Sequence, residues 1–350
     1  MSKIDAAYLI LSNGRVFEGK SFGAKGETCG EIVFTTGMVG YLETLTDPNY
    51  FGQIILQTFP LIGNYGVIPA DFEKESIAAK AYIVKYPCQE PSNFRSEGSL
   101  DTFLNERGVI GLWSIDTRAL TKIIRENGTL SGKITQNPPT DKDRQEVLTY
   151  VLKDAVGAVS SKQISRAGKG RVLALLDYGT KAGIAASFVK RGFEVLTFPH
   201  NSSADEILSF NPAGIVLSNG PGDPADPANA PIIECLQILI KSGIPIFGIC
   251  LGHQLLAIAN GYTAKKLKFG HRGANQPVKD LKTGRIYITS QNHGYTVEAP
   301  PDKASFINLN DGTNEGLDYG RSFSVQFHPG GRAGPLDTEF LFDRFVERMA

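Results

Sequence analysis

Short segments in which hydrophobic and polar positions alternate dominate the first half of the chain. Two of them are YLILSNGRVFEGKSFG and GEIVFTTGMVGYLETLTD, and glycines and an Asn-Gly pair interrupt them. Alternation is typical of strands with one buried face, and Asn-Gly is a common turn between antiparallel strands. We therefore predict a mixed domain with antiparallel hairpins.

Two helices are expected after these segments. In DTRALTKIIRENG, Asp116 can cap the first turn and Gly128 can end the helix. The residues expected to face inward in this helix are Leu120, Ile123 and Ile124. A second helix is predicted after Thr140, with four hydrophobic residues on one side before Gly157: Val147, Leu148, Val151 and Leu152.

The stretch SSKQISRAGKG that follows is polar, small and basic, which is typical of a linker. We predict an N-terminal mixed α/β domain over residues 1–155, a linker over residues 156–170 and a second domain over residues 171–350.

The hydrophobic pattern changes after the predicted linker. The runs VLALL, GIVLS and IPIFGI are continuous, as in strands buried on both faces of a parallel sheet. Helix-length segments with hydrophobic residues at helical spacing separate the runs. This alternation predicts βαβ units and a doubly wound parallel sheet covered by helices.

Two late segments, RIYITSQNHGYTV and SFSVQFHPG, are predicted as hairpin or edge strands. TEFLFDRFVERM is predicted as an amphipathic helix. Its inward side is expected to hold Leu341, Phe342, Phe345 and Val346.

Composition narrows the class of protein. Hydrophobic residues make up 41% of the chain, and 36 basic residues balance 36 acidic residues. No basic stripe of the kind that binds nucleic acid or anionic membranes stands out, so a small neutral substrate or a protein partner fits better. No hydrophobic segment approaches the ~20 residues that cross a bilayer, and the N-terminal segment lacks the features of a signal peptide. We expect a cytoplasmic protein.

The four cysteines are scattered and form neither CxxC pairs nor a Cys/His cluster. We therefore expect free thiols and no metal site. Cys250 is different, because Gly248 and Gly252 flank it where a predicted strand meets a predicted helix. This matches the G-x-nucleophile-x-G elbow, in which the helix N-terminus and a nearby imidazolium favour the thiolate. The alternative is a buried structural cysteine.

A thiolate nucleophile needs a general base, and histidine is the usual one. His328 is the predicted base because it ends a predicted strand, where its side chain would lie at a sheet terminus. His253 lies on the predicted helix of the cysteine and is expected to pack or to form hydrogen bonds. His271 and His293 lie in glycine-bearing segments that are expected to be loops, and they could order those loops or form walls of the site.

The segment LSNGPGDP follows another predicted buried strand. Such a rigid turn can point backbone N–H groups at a developing oxyanion, and one such donor contributes ~3 kcal/mol in the transition state. We predict an oxyanion hole from the N–H groups of Gly222 and Leu251. A plain turn is the alternative.

Several motifs together resemble a known family. GICLGHQLLA, LSNGPGDP, FGHRGANQPV, SQNHGYTV and QFHP resemble the class I glutamine amidotransferases. In the first half, GMVGYLETLTDPNY, LIGNYG and GLWSIDTRALTKIIRENG resemble the small subunit of carbamoyl phosphate synthase. The resemblance covers essentially the whole chain, and the order of the motifs makes it specific.

The resemblance implies a flavodoxin-like amidotransferase domain that hydrolyses glutamine through a cysteine thioester. It also implies that the ammonia passes through a tunnel to a large subunit, which makes carbamoyl phosphate from bicarbonate and ATP for arginine and pyrimidine synthesis. The chain itself contains no GxxxxGK[ST] motif. ATP and Mg²⁺ are therefore expected only in the large subunit, with no cofactor in this chain.

The resemblance also assigns site residues. It implies that Cys250 is the nucleophile and His328 the base, with no metal. Positions that match glutamine-contacting residues of the family, several through the backbone, are Gly220, Gly222, Leu251, Gln254, Asn292, Gly294 and Tyr295.

Two positions depart from the family pattern. The family has His-Pro-Glu where this chain has His328-Pro329-Gly330, so the glutamate that orients the histidine is missing. Loss of the orienting carboxylate costs up to roughly 10⁴ in rate in serine enzymes, and a thiolate depends less on its base. We expect a weakened glutaminase. The other departure is Asn49, which stands where the family usually has a glutamine-contacting serine.

Other interpretations stay open from the sequence. Asp223 or Glu339 could substitute for the missing carboxylate. The chain could be a catalytically impaired regulatory or binding subunit, or a different class I amidotransferase or hydrolase with the same elbow.

Overall fold

A computed structural model describes residues 6–332 and 334–350 of the chain. The fold divides into two compact units, Met1–Leu152 and Lys153–Ala350. Residues 1–5, where the predicted first domain begins, lie outside the described residues.

The first unit contains nine strands and four α-helices among the described residues. The strands are β1 (Ala6–Leu11), β2 (Val16–Gly23), β3 (Thr28–Thr35), β4 (Gln53–Gln57), β5 (Leu61–Ile62), β6 (Ala81–Ile83), β7 (Tyr86–Pro87), β8 (Ile110–Trp113) and β9 (Leu130–Thr135). The helices are α1 (Tyr41–Thr46), α2 (Leu100–Glu106), α3 (Thr117–Asn127) and α4 (Asp141–Thr149).

Seven of these strands form a closed barrel in the order β1-β2-β8-β6-β4-β3-β9. The predicted hairpin of β1 and β2 is confirmed, with Leu9 opposite Phe17. The prediction of antiparallel hairpins was incomplete, because β3, β4, β6 and β8 pair in parallel. Closure leaves these seven strands without a free edge, which removes the usual site of edge-to-edge aggregation.

The helix predictions for this unit were partly right. Helix α3 is confirmed: the Asp116 carboxylate accepts a hydrogen bond from the Ala119 N–H at 2.9 Å, and the chain turns at Gly128 with φ of 91°. GYLETLTD was wrongly predicted as strand. It forms α1, because its buried residues recur at helical spacing: Tyr41, Leu42, Leu45 and Thr46.

Helix α4 begins after Thr140 as predicted, with a reciprocal capping box between Thr140 and Asp143. The predicted buried side was wrong at two positions. The helix ends at Thr149, and Leu148 and Val151 are 60% and 67% exposed.

The second unit contains ten strands and six α-helices among the described residues. The strands are β10 (Ser165–Gly168), β11 (Arg171–Asp177), β12 (Phe193–Pro199), β13 (Gly214–Leu217), β14 (Ile246–Ile249), β15 (Thr263–Asp280), β16 (Ile286–Glu298), β17 (Ala304–Asn308), β18 (Asn314–Asp318) and β19 (Phe323–Val325). The helices are α5 (Ala155–Val159), α6 (Ala182–Lys190), α7 (Ala204–Ser209), α8 (Ala230–Lys241), α9 (Leu251–Ala259) and α10 (Phe340–Arg348).

These strands form one sheet in the order β10-β12-β11-β13-β14-β19-β18-β17-β15-β16. The five strands β12, β11, β13, β14 and β19 pair in parallel, which confirms the doubly wound sheet. Hydrophobic clusters form the core of the unit, and α10 buries Leu341, Phe342 and Phe345 as predicted. In such sheets ligands bind beyond the carboxyl ends of the strands.

Three predictions for this unit differ from the structure. The segment 156–170 is not an unstructured linker, because most of α5 and all of β10 lie in it and β10 pairs with β12. The strand before His328 is not an edge strand and ends at Val325, since β19 lies between β14 and β18. His271 and His293 lie on the paired strands β15 and β16 and not in loops.

No helix in the described part of the chain is both long enough and hydrophobic enough to span a bilayer.

Candidate active site

The turn between β14 and α9 places Cys250 in a backbone conformation that non-glycine residues rarely adopt. Its φ is 54° and its ψ is −104°, and it is one of four non-glycine residues with positive φ in the described chain. Such strain persists only where surrounding contacts impose it, and it is common at active sites. Here the Cys250 N–H donates to the Val325 carbonyl at 2.8 Å, which ties the turn to β19.

The two glycines that frame the cysteine have no room for a side chain. A Cβ at Gly248 would lie 2.7 Å from the Gly252 carbonyl oxygen, and a Cβ at Gly252 would lie 2.4 Å from the Leu217 carbonyl oxygen. Both contacts are with backbone that cannot move away. The predicted strand-to-helix elbow is therefore what the structure contains, with β13 packed against its second glycine.

The loop after β13 passes close to the elbow. The Gly252 N–H donates to the Ser218 carbonyl at 3.0 Å. A Cβ at Gly220 would lie 2.2 Å from the Tyr178 carbonyl oxygen and 2.7 Å from a methyl group of Leu251, so only glycine fits there. Gly222 has a φ of 95°, which also favours glycine. These contacts bring Gly220 and Leu251 together.

The N–H group of Leu251 belongs to the first turn of α9, where helix geometry supplies no acceptor. Its predicted partner in an oxyanion hole, Gly222, lies two residues beyond Gly220 in the same loop. The oxyanion hole itself stays a prediction.

The segment of β16 around Asn292 lies against the cysteine. The Cys250 S–H donates to the Asn292 carbonyl at 3.7 Å, and Nε2 of Gln254 donates to the Tyr295 carbonyl at 3.0 Å. Gly294, which lies between these two residues, has ordinary van der Waals space for a Cβ. Four of the predicted glutamine contacts are thus gathered beside the nucleophile.

The predicted base follows β19, the strand paired in parallel with β14. Because Ile249 lies opposite Val325, Cys250 and the residues after Val325 leave the sheet at the same edge. The N–H of His328 donates to the Ser290 carbonyl at 2.9 Å, which fixes its backbone against β16. His328 is only 3% exposed. This arrangement brings the predicted nucleophile and base to one edge of the sheet.

Burial holds the pKa of the His328 imidazole well below its ordinary value, and the charges of Lys181 and His293 lower it further. The imidazole is therefore neutral near pH 7, and the protonated form is poorly stabilised.

Position 330, where the resemblance implies glutamate, is crowded by the Phe342 ring. A Cβ at Gly330 would lie 3.1 Å from Cζ of Phe342 and 3.7 Å from Oγ of Ser187. The two carboxylates considered as substitutes have other surroundings. Asp223 is exposed and its carboxylate accepts from the Ala225 N–H, and the charge of Glu339 stabilises the Arg191 guanidinium.

The remaining predicted contact, Asn49, belongs to the first unit. It is buried in a short 3-10 turn over Pro48–Tyr50, and its N–H donates to the Asp47 carboxylate at 3.0 Å. Its contact with glutamine stays a prediction.

His253 packs as expected. It is fully buried, its Nδ1 lies 2.7 Å from Oγ of Ser324, and burial lowers its pKa to about 3.

Sequence reasoning missed two residues near this edge. Lys181 follows β11 and its backbone N–H donates to Oδ1 of Asn219 at 3.3 Å. Both residues come directly after buried parallel strands that adjoin in the sheet, so the rule that ligands bind at this crevice could have found them.

Comparison with known proteins agrees with this geometry. Residues 9–134 match the family model described as carbamoyl-phosphate synthase small chain, CPSase domain. Residues 174–348 match the one described as glutamine amidotransferase class-I. Each match falls within one of the two structural units.

Curated relatives align along nearly the whole chain. The carbamoyl phosphate synthase small chain of Clostridium perfringens is 49% identical, with 97% of this chain and 99% of the relative covered. That of Listeria innocua is 46% identical, with 97% and 96% covered. A glutamine amidotransferase structure from Thermotoga maritima is 22% identical, with a TM-score of 0.39 and 51% of this chain and 83% of that chain covered.

Two family models in series and full-length similarity above 45% identity rule out a separate hydrolase that shares only the elbow. The chain belongs to the carbamoyl phosphate synthase small chain family, and its second unit is a class I glutamine amidotransferase domain.

Proposed function

We propose that this chain hydrolyses glutamine through a Cys250 thioester and passes the ammonia to a large subunit that makes carbamoyl phosphate from bicarbonate and ATP. The observation that carries the proposal is the strained, glycine-framed Cys250 at the carboxyl end of β14. A structural cysteine has no need of a positive φ, and strain of this kind is kept where it serves the chemistry.

In the first half-reaction the sulfur of Cys250 attacks the side-chain amide carbon of glutamine. His328, neutral because of its burial, accepts the thiol proton. The carbonyl oxygen becomes an oxyanion that the N–H groups of Leu251 and Gly222 stabilise. Collapse of the tetrahedral adduct breaks the C–N bond, His328 returns the proton to the leaving nitrogen, and ammonia leaves a thioester behind.

In the second half-reaction a water molecule attacks the thioester carbon while His328 accepts a proton from it. The C–S bond breaks, the proton returns to the sulfur, and glutamate is released. Asn292, Gly294, Tyr295, Gln254 and the backbone at Gly220 would hold the glutamine during both steps.

The missing carboxylate matters while His328 carries the proton, because a carboxylate would stabilise the imidazolium. In this chain the charges of Lys181 and His293 both disfavour the imidazolium of His328. We propose that glutamine hydrolysis is slower for this reason than in relatives with His-Pro-Glu. The same observation supports a second candidate function, a binding or regulatory subunit with little turnover.

The chain would need no cofactor of its own, with ATP and Mg²⁺ bound by the large subunit. We propose a cytoplasmic location and a role in arginine and pyrimidine synthesis, without nucleic acid or membrane partners.

The test measures glutamate release from glutamine by this chain in complex with its large subunit, for wild type and Cys250→Ser. We expect Cys250→Ser to lose glutamate release and glutamine-dependent carbamoyl phosphate synthesis by at least about 10³-fold. Synthesis from added ammonium salts should be unchanged, which controls for folding and assembly. If the variant releases glutamate at the wild-type rate, or the wild type releases none, the binding-subunit function takes the place of this proposal.

A further inference from the structure

Strands β15, β16 and β18 bury a group of titratable side chains that the proposed reaction does not use directly. His271 and His293 are cross-strand neighbours with ring centroids 5.0 Å apart. Glu315 lies beside them and is completely buried, while Asp311 stands at the edge of the group. A buried carboxylate is costly unless a cation or hydrogen bonds compensate it.

His271 supplies that compensation. Its Nε2 lies 2.8 Å from Oδ2 of Asp311, and its Nδ1 lies 3.4 Å from Oε1 of Glu315. Burial alone would lower the pKa of His271, but the hydrogen bonds and charges of the two carboxylates raise it above its ordinary value. Burial raises the pKa of Glu315, and hydrogen bonds from His271 and Asn308 act in the opposite direction. An imidazolium with a proton on each nitrogen would meet both carboxylates, so His271 and Glu315 are placed to form a buried ion pair.

A side-chain path leads from this ion pair to the strand segment beside the nucleophile. Nδ1 of His271 also lies 3.1 Å from Oε1 of Gln291, and the same oxygen lies 3.1 Å from Nε2 of His293. Nδ1 of His293 lies 2.8 Å from the Tyr295 carbonyl oxygen. The residue between Gln291 and His293 is Asn292, whose carbonyl accepts from the thiol. The ion pair therefore reaches this segment through Gln291, the residue before Asn292.

A second path leads from Glu315 through the backbone. The Glu315 carbonyl accepts from the Gln326 N–H at 2.9 Å, and Oε1 of Gln326 accepts from Nε2 of Gln254 at 2.9 Å. Gln254 also donates to the Tyr295 carbonyl. Both paths thus end on the segment of β16 that contains Asn292 and Tyr295.

We propose that His271 and Glu315 are positioning residues for glutamine binding, an inference that rests on the proposed function. Neither residue touches the substrate. Their ion pair fixes the backbone of β16 at Asn292 and Tyr295, which are predicted to contact glutamine. The elbow at Cys250 is held separately by β13 and β19. Loss of the ion pair should therefore weaken glutamine binding more than it slows the chemical steps.

The first test uses Glu315→Gln, which keeps the shape and removes the charge, in complex with the large subunit. We expect KM for glutamine to rise about tenfold, as for other partners that orient a binding group, while kcat changes less than about threefold. Carbamoyl phosphate synthesis from ammonium salts should not change. The matched control is Asp318→Asn, which removes a carboxylate from the same strand, where it forms a partly exposed pair with Arg348 at 2.9 Å. It should leave KM unchanged.

The second measurement is the pH dependence of KM for glutamine. A purely structural role of Glu315 would leave this dependence unchanged. A raised pKa keeps His271 charged as pH rises past its ordinary value, and the ion pair is lost only above the raised pKa. In Glu315→Gln the His271 proton is lost at lower pH, so KM should begin to rise at lower pH. The other titratable or charged groups that face this cluster are Asp311, His293, His253 and Arg272.

Unchanged KM and an unchanged pH profile in a Glu315→Gln complex that still releases glutamate would overturn the positioning role. Failure of the proposed function would show differently, as a wild-type complex that releases no glutamate.

The ligand atoms of His271, His293 and Glu315 also lie within 4.8 Å of one another. One equivalent of zinc in the purified small chain, lost in Glu315→Gln, would assign the cluster to a metal site and overturn the ion pair.

Discussion

At the scale of single residues, neighbouring side chains occupy the space beside Gly330. The ring of Phe342 lies where a longer residue would begin, and Phe342 in turn packs edge-on against Phe188 at 5.3 Å between centroids. The Phe342 ring therefore crowds one side of the position, and a glutamate at 330 has to displace it.

We therefore predict that Gly330→Glu and Phe342→Leu are coupled. Glutamate alone forces the Phe342 ring aside and should destabilise the chain by about 1–3 kcal/mol without faster glutamate release. With leucine at 342 the carboxylate has room to reach His328, and release should be about tenfold faster than in either single variant, a coupling of about 1.4 kcal/mol. Glutamate-release rates of the four members of the cycle, measured in the complex, give this coupling.

The control for this cycle is Gly330→Gln with Phe342→Leu, which has the same size and no charge. It should show no acceleration. If Gly330→Glu alone gave the fastest release, the crowding argument at position 330 would be wrong.

At the scale of elements, a buried lysine joins β9 to α4. The Lys133 side chain is 3% exposed, and its Nζ lies 2.7 Å from Asp143, 2.6 Å from Glu146 and 3.2 Å from Glu27. Hydrogen bonds from Lys133 and Thr140 lower the pKa of Asp143 to about 2. The buried side of helix α4 contains few hydrophobic residues. The ion pairs of Lys133 therefore hold the helix against β9, where hydrophobic packing would otherwise do so.

We predict that Lys133→Met destabilises the chain by about 3 kcal/mol at pH 7, at the low end for a buried pair because Glu27 and Glu146 reach solvent. The Asp143 contribution is complete above its unfolded pKa of about 3.9 and is lost as pH falls towards 2. The difference between wild type and variant should therefore shrink between pH 4 and pH 2. Urea unfolding at several pH values measures it.

Lys142→Met is the matched control, because Lys142 lies on the same helix, is 86% exposed and reaches only Glu146 at 3.8 Å. It should change the free energy of unfolding by less than about 0.5 kcal/mol. An equal loss in the two variants would contradict the role given to Lys133.

The central strands of the second unit could be predicted from sequence because a short continuous hydrophobic run between helix-length segments is typical of a strand buried on both faces. The elbow at Cys250 could be located as well, since it ends such a run and glycines mark it on both sides. The barrel of the first unit could not, because parallel pairing joins strands that are far apart in sequence and leaves no local pattern. Nor could the position of β19, a strand of three residues whose place depends on its neighbours β14 and β18.

At the scale of the whole molecule, the boundary between the units lies earlier than the polar sequence of residues 160–170 suggests. Val156 is 2% exposed and belongs to the same hydrophobic cluster as Tyr178 and Leu251. The Ser161 N–H donates to the Asp177 carboxylate at 2.9 Å. Small and polar residues mark loops in general, but here their backbone completes the edge of the sheet.

We predict different behaviour for two fragments that differ only in this segment. The fragment 153–350 keeps α5 and β10 and should unfold cooperatively. The fragment 171–350 loses the buried Val156 and leaves β12 as a bare edge strand, so its thermal midpoint should be about 10 °C lower and it should aggregate more readily. Thermal scans by circular dichroism compare them. Equal midpoints would restore the linker interpretation.

The strand order also determines when, during translation, the turn at Cys250 can take its final conformation. β14, which leads into Cys250, is made more than 70 residues before its parallel neighbour β19, and β18, the other neighbour of β19, is made only shortly before it. While the ribosome is still translating, one side of β14 has no partner and the carbonyl of Val325 that fixes the elbow does not yet exist. A nascent chain therefore carries the cysteine but neither its strained turn nor the predicted base. For the proposed function, we therefore expect no glutamine hydrolysis by chains that end before β19.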